Sequence, residues 1–158
     1  MWLNSVIEPK ESAGDWRSGL IIRLVMTVLW IGVAAGGLIN DFNATHLFNP
    51  DWPPHAKLHM MSMLTSGVAL ALFGLYLCWG PAESRLQSIK LSALLGLLFT
   101  LGLVIAGLMI PMYGGSMDSA DTEMRPATLA NENFFVFVNM TCVFAVLLAA
   151  VHWRARRS

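Results

Sequence analysis

The sequence predicts an all-α integral membrane bundle of four transmembrane helices with both termini cytoplasmic. Three observations carry that prediction. Of the 158 residues, 56% are hydrophobic and 13% charged, about half the charged share of a soluble domain, and mean hydropathy is +0.59. Four apolar stretches, about 20–39, 58–79, 91–110 and 134–151, match the ~20 residues a helix needs to cross a hydrocarbon core of ~30 Å. None alternates as a barrel strand does, and helices are the remaining way to satisfy the backbone in lipid.

The first stretch follows Lys10 and Arg17 and contains Val33-Ala34-Ala35, which has the form of a signal-peptidase site. Its length favours a retained helix. Arg23 is the one formal charge inside the four stretches, near an end where a long side chain can snorkel to the interface. Gly32 and Gly36 form a GxxxG, read as packing within the bundle, with a homodimer interface as the alternative. The second helix follows Pro53-Pro54 and is expected to start near Pro54, because proline at a first helical position loses no needed N–H. Gly96, Gly102 and Gly107 stud the third. Residues 1–158 form a single domain without internal repeats.

Basic residues set the orientation. Lys10, Arg17, Arg23, Arg85, Lys90, Arg154, Arg156 and Arg157 fall in the N-terminal segment, the short middle link and the C-terminal tail; the other two loops hold Lys57 and Arg125. The positive-inside rule then puts both termini in the cytoplasm and the two longer loops on the periplasmic or lumenal face. The membrane is a bacterial inner membrane or the endoplasmic reticulum. Trp16, Trp79 and Trp153 on one side, and Trp52 and Tyr113 on the other, fit aromatic belts. Lys plus Arg equals Asp plus Glu at 10 each, so nucleic acid is excluded as a partner. Cys78 and Cys142 lie in apolar runs and form no CxxC. No helix carries a polar stripe along its length, which disfavours a channel.

Residues able to do chemistry cluster in the first outer loop. Three of the four histidines, His46, His55 and His59, lie there beside Asp41 and Asp51. His152 sits apart, in the basic tail. A helix starting near Pro54 places His55 and His59 at i and i+4 on one face. Such a pair can serve as base and orienting group or bind a metal jointly; the plainer reading is that the loop residues cap the helix and bond the loop to itself. In the second outer loop, Glu132 has a structural explanation at a helix N-terminus and is also the carboxylate best placed to meet His59 across the bundle. Asp118, Asp121 and Glu123 read as a solvated loop, and Tyr113-Gly114-Gly115-Ser116 as a helix stop or a hinge. Seven of ten methionines, Met60, Met61, Met63, Met109, Met112, Met117 and Met124, fall on this outer half, as gap-fillers or as soft ligands for Cu(I). Asn43-Ala44-Thr45 is a formal glycosylation sequon, close to the first helix.

The run from Thr45 to His59, with Asn49-Pro50-Asp51-Trp52-Pro53-Pro54-His55 and His59, resembles the signature NPxWPPHxxxH of a family of small four-helix membrane proteins without assigned function. The architecture is also similar to the emopamil-binding (sterol isomerase-like) membrane proteins, in which histidines and carboxylates inside the membrane move protons on a lipophilic substrate. The order Asp41, His46, His59 is similar in spacing to the carboxylate–His–His copper ligands of particulate monooxygenase subunits.

These readings converge on a membrane-embedded enzyme that isomerises or cyclises a lipophilic small molecule by proton transfer, without a cofactor. His55 and His59 are the expected acid–base pair, with Glu132 or Asp41 orienting them. Trp52, Phe48, Asn131 and Tyr113 are expected at the substrate. Two alternatives use the same loop: a copper or zinc protein with His46, His55, His59 and Asp41 as ligands, and a non-catalytic subunit whose motif docks on a partner.

Overall fold

Because the four apolar stretches are apolar all round, their helices are fixed by length and by their end signals. The computed structural model describes residues 13–118 and 123–156, and among these it contains helices and no strand. α1 runs Ala13–Asp41, α2 Pro54–Trp79, α3 Arg85–Leu108, α4 Ile110–Tyr113 and α5 Glu132–Ala155. Four of them, all but α4, are long and apolar enough to cross a membrane, and the chain is an integral membrane bundle. Val33-Ala34-Ala35 lie inside the continuous α1. Lys10, Asp121 and Arg157 lie outside the described residues.

The helix ends follow local chemistry. α2 begins at Pro54 with Pro53 extended before it, as the paired prolines predict. α3 begins at Arg85, several residues before its apolar stretch, because Ser84 caps it by accepting from the Gln87 amide. It breaks at Met109: Pro111 has no N–H to give to the preceding turn, and its ring disfavours helical geometry just before it. One further turn, α4, ends at Gly114, whose φ of 75° is the left-handed cap that glycine adopts without a Cβ penalty. The Tyr113–Ser116 stretch is thus a helix stop. α5 starts where the Asn131 side chain accepts from the Phe134 amide.

The helices pack in the order α1, α2, α3, α5, and no Cα of α2 comes within 8 Å of one of α5. Those two therefore stand at opposite corners. The core centres on Trp30, which is fully buried beside Phe144 at a ring separation of 5.5 Å. Trp30 packs against Gly74 and Phe144 against Gly96, where any side chain on the glycine would run into the ring. Ser92 ties three helices together: its hydroxyl donates to the Gly74 carbonyl (2.9 Å) and accepts from the Trp30 indole N–H (2.9 Å). With its one proton spent, it also accepts from the Cys78 thiol at 3.3 Å. Large apolar side chains such as Val28, Leu72, Leu98 and Val146 point outward from all four long helices, the surface a lipid solvent requires.

Arg23 does more than reach for the interface. Its Nε donates to the Cys78 carbonyl at 2.8 Å, Arg85 reaches the same oxygen at 3.3 Å, and the Arg23 guanidinium lies 3.9 Å over the Trp79 ring. Trp79 in turn donates to the Thr27 hydroxyl at 2.8 Å. Two cations thus serve the last turn of α2, where unpaired carbonyls gather. At the same end of the bundle, Lys90 Nζ meets His152 Nδ1 at 3.1 Å. Gly32 faces Met140 of α5 and Gly36 has nothing within 4 Å, so the GxxxG contributes one helix contact rather than a two-glycine seam.

Candidate functional site

At the opposite end of the bundle lie two connections, residues 42–53 between α1 and α2 and, between α4 and α5, the described residues 114–118 and 123–131. The first holds its shape through short polar side chains. Asn43 bonds back to α1, its Nδ2 donating to the Asn40 carbonyl at 2.6 Å. Its Oδ1 then accepts from the Thr45 amide (2.8 Å), the Thr45 hydroxyl (2.7 Å) and the His46 amide (3.2 Å), an Asx turn. Asn49 repeats the device one turn on, donating to the Thr45 carbonyl and accepting from the Asp51 amide. Leu47 is buried and anchors the loop. Asn43 of the sequon is thereby engaged on both sides of its amide.

This network assigns the His46 tautomer. The Thr45 hydroxyl has one proton, and it goes to Asn43 Oδ1. His46 Nδ1, 2.9 Å from the same hydroxyl, therefore carries a hydrogen and donates it, which leaves Nε2 as the proton-accepting atom. Nε2 stands 3.7 Å from the Asp41 carboxylate. That is beyond direct hydrogen-bond length yet close enough for the carboxylate to stabilise a protonated ring. Both side chains are mostly buried, about a fifth to a quarter exposed. Trp52 sets its ring edge-on to His46 at 5.7 Å.

His46 and Trp52 open on a pocket of about 230 Å³ that both connections build, with Thr45 and Asn49 on one side and Ser116, Met117 and Asp118 on the other. The lining is mainly polar around the indole and one thioether. Ser116, Met117 and Asp118 also line a second recess with Arg125, Thr128 and Asn131.

The residues singled out in the sequence separate into distinct places. Asp41, His46 and Trp52 come together. His55 and His59 pair with each other, Nε2 to Nε2 at 2.8 Å. Both are exposed and outside the lining of the His46 pocket, on a side of α2 away from Leu64, Gly67, Ala71, Gly74 and Cys78, which it buries. Glu132 is exposed at the start of α5 and does not meet His59, because α2 and α5 are diagonal. Asn131 is used as the α5 cap, Tyr113 donates back to the Ala106 carbonyl at 3.0 Å, and Phe48 packs on Phe42 at 4.9 Å. Among the described residues no three His, Cys, Asp or Glu side chains converge, so the four-ligand set His46, His55, His59 and Asp41 is split into two pairs. Asp118 was expected as loop surface and instead walls the pocket. The signals that point to the pocket were in the sequence all along: Asn43 and Asn49 are turn formers spaced to fix His46 between them.

A model of a family of unknown function (DUF6640) matches residues 25–118. The chain belongs to that family. The DUF6640 segment includes Asp41 and every residue that lines the His46 pocket, together with His55 and His59, and it stops short of Glu132 and α5. Neither the curated proteins nor the solved structures compared with the chain gave a match.

Proposed function

We propose that this DUF6640 protein is a membrane-embedded acid–base enzyme that isomerises or cyclises a lipophilic small molecule bearing a polar group. The observation that supports it is His46, backed by Asp41, opening on a pocket that Trp52 also walls. His46 Nε2 takes a proton from the substrate and returns it at another atom, while Nδ1–H stays bonded to Thr45. Asp41 stabilises the ring while it is charged. The 3.7 Å separation between them is longer than a direct hydrogen bond, in keeping with catalytic contacts that tighten only when substrate binds. A pocket of 230 Å³ is below the ~300–1,000 Å³ of sites that enclose a drug-sized ligand. It therefore holds the reacting polar end, and the apolar remainder lies against the helices in lipid.

Relative to the sequence expectation, His46 replaces His55 and His59 as the acid–base residue and Asp41 keeps its supporting role. As part of the same proposal, and by the positive-inside rule, the pocket faces the periplasm or lumen and both termini are cytoplasmic.

The test is comparative small-molecule profiling of membranes that contain the wild-type chain or His46→Ala. The reading predicts a lipophilic product isomeric with its precursor in wild-type membranes, lowered in His46→Ala by roughly 10²–10⁴-fold, the usual worth of general acid–base catalysis, and lowered less in Asp41→Asn. Identical profiles from wild type and His46→Ala contradict the reading.

A further inference from the structure

We propose that His55 and His59 form a copper(I) site on the outward side of α2, separate from the His46 pocket, with Met63 as third donor. Two exposed imidazoles one helical turn apart are free to point in different directions, yet here both turn the same atom to a shared point, with Nε2 atoms 2.8 Å apart and rings nearly perpendicular at 84°. As a hydrogen bond, that contact uses one protonated and one bare Nε2. A metal ion replaces the shared proton: two N–metal bonds of about 2.0–2.1 Å, at the roughly 120° opening of a three-donor copper(I) centre, place their nitrogens about 3.6 Å apart. Side-chain rotation that moves each Nε2 outward by about 0.4 Å from the observed 2.8 Å separation converts the pair into a chelate of that geometry.

The choice of ion follows from what surrounds the pair. A structural zinc site takes four ligands, and among the described residues no third His, Cys, Asp or Glu joins these two. Copper(I) is satisfied by two or three donors and prefers thioether sulfur. Met63 supplies one: it stands four residues beyond His59 on the same helix face and is 51% exposed. His55, His59 and Met63 thus form an i, i+4, i+8 row. The row makes no use of Asp41, His46 or Trp52.

The test is Cu(I) competition against a chromogenic chelator, using the full chain purified in detergent under reductant. The expected result is one tightly held equivalent. His55→Ala and His59→Ala should each weaken it by more than the roughly 10–100-fold that loss of an outer-shell partner costs, and Met63→Leu should weaken it measurably. The two histidines are exposed, so these variants keep the wild-type thermal midpoint, which is checked alongside. His46→Ala should bind copper normally, so failure of the acid–base reading leaves this site standing and the reverse. Cu(I) uptake unchanged by either histidine substitution, absence of a stoichiometric equivalent, or preference for Zn(II) over Cu(I) overturns the proposal.

Discussion

At the scale of single residues, the bundle is organised by one hydroxyl and two glycines. Ser92 spends its proton on the Gly74 carbonyl and accepts from Trp30 and Cys78, so all three of its hydrogen-bonding positions are filled where water is absent. A hydrogen bond between membrane helices contributes about 0.6 kcal/mol on average and about 1.7 at most. Steric fit around the same indole is worth more. A methyl on Gly74 collides with the Trp30 ring, and overpacking of a well-filled core costs about 1–3 kcal/mol. Gly74→Ala should therefore lower the thermal midpoint in detergent further than Trp30→Phe, which removes only the indole bond and part of the ring. A larger loss from Trp30→Phe contradicts this ranking. Sequence patterns do not single out Trp30, because a helix that is apolar all round has no polar face to mark its buried side. The usable signal is the small residues Gly74, Ser92 and Gly96, which leave room for a large ring somewhere opposite them.

Elements of this fold were legible wherever a residue changes backbone chemistry. Pro53-Pro54 marks the start of α2, Pro111 marks the break after α3, and Gly114 marks the stop after α4. The start of α3 was misplaced by the hydropathy window, since its first turn is polar and is defined by the Ser84 cap instead. The end of α2 depends on a partner from another helix, which no local pattern reveals. Arg23 of α1 donates to the Cys78 carbonyl and covers Trp79, so it secures α1 to the last turn of α2. A hydrogen bond from a charged donor contributes about 1.5–3 kcal/mol, and a cation–π contact about 0.5–2. Arg23→Leu should thus destabilise the protein by about 1–3 kcal/mol. Arg23→Lys should recover only part of that, because an ammonium lacks the planar fork that bonds and stacks at once. Full recovery by lysine, read by thermal unfolding in detergent, contradicts the stacking component.

Over the whole molecule, the order α1, α2, α3, α5 decides which loop residues meet. It sets α2 and α5 on a diagonal, and that separates Glu132 from His59, a pairing the sequence made attractive because both lie at helix starts. It also brings residues 42–53 against 114–118, which sequence distance conceals, and so makes Asp118 a pocket wall. Cysteine cross-linking in a background without Cys78 and Cys142 checks this arrangement. Gly107→Cys with Phe134→Cys should be joined by a short bifunctional thiol reagent, since a Cβ on Gly107 would meet the Phe134 side chain. His59→Cys with Glu132→Cys should not, because α2 and α5 are diagonal and their Cα atoms stay more than 8 Å apart. Proton transfer by His46 at this junction, as proposed above, is tested most directly by solvent deuterium. Membranes carrying the wild-type chain, incubated in heavy water and extracted, should yield a lipophilic species that has gained deuterium at carbon, and His46→Ala membranes should yield none. Equal labelling in the two, or no labelling in either, contradicts the acid–base role of His46.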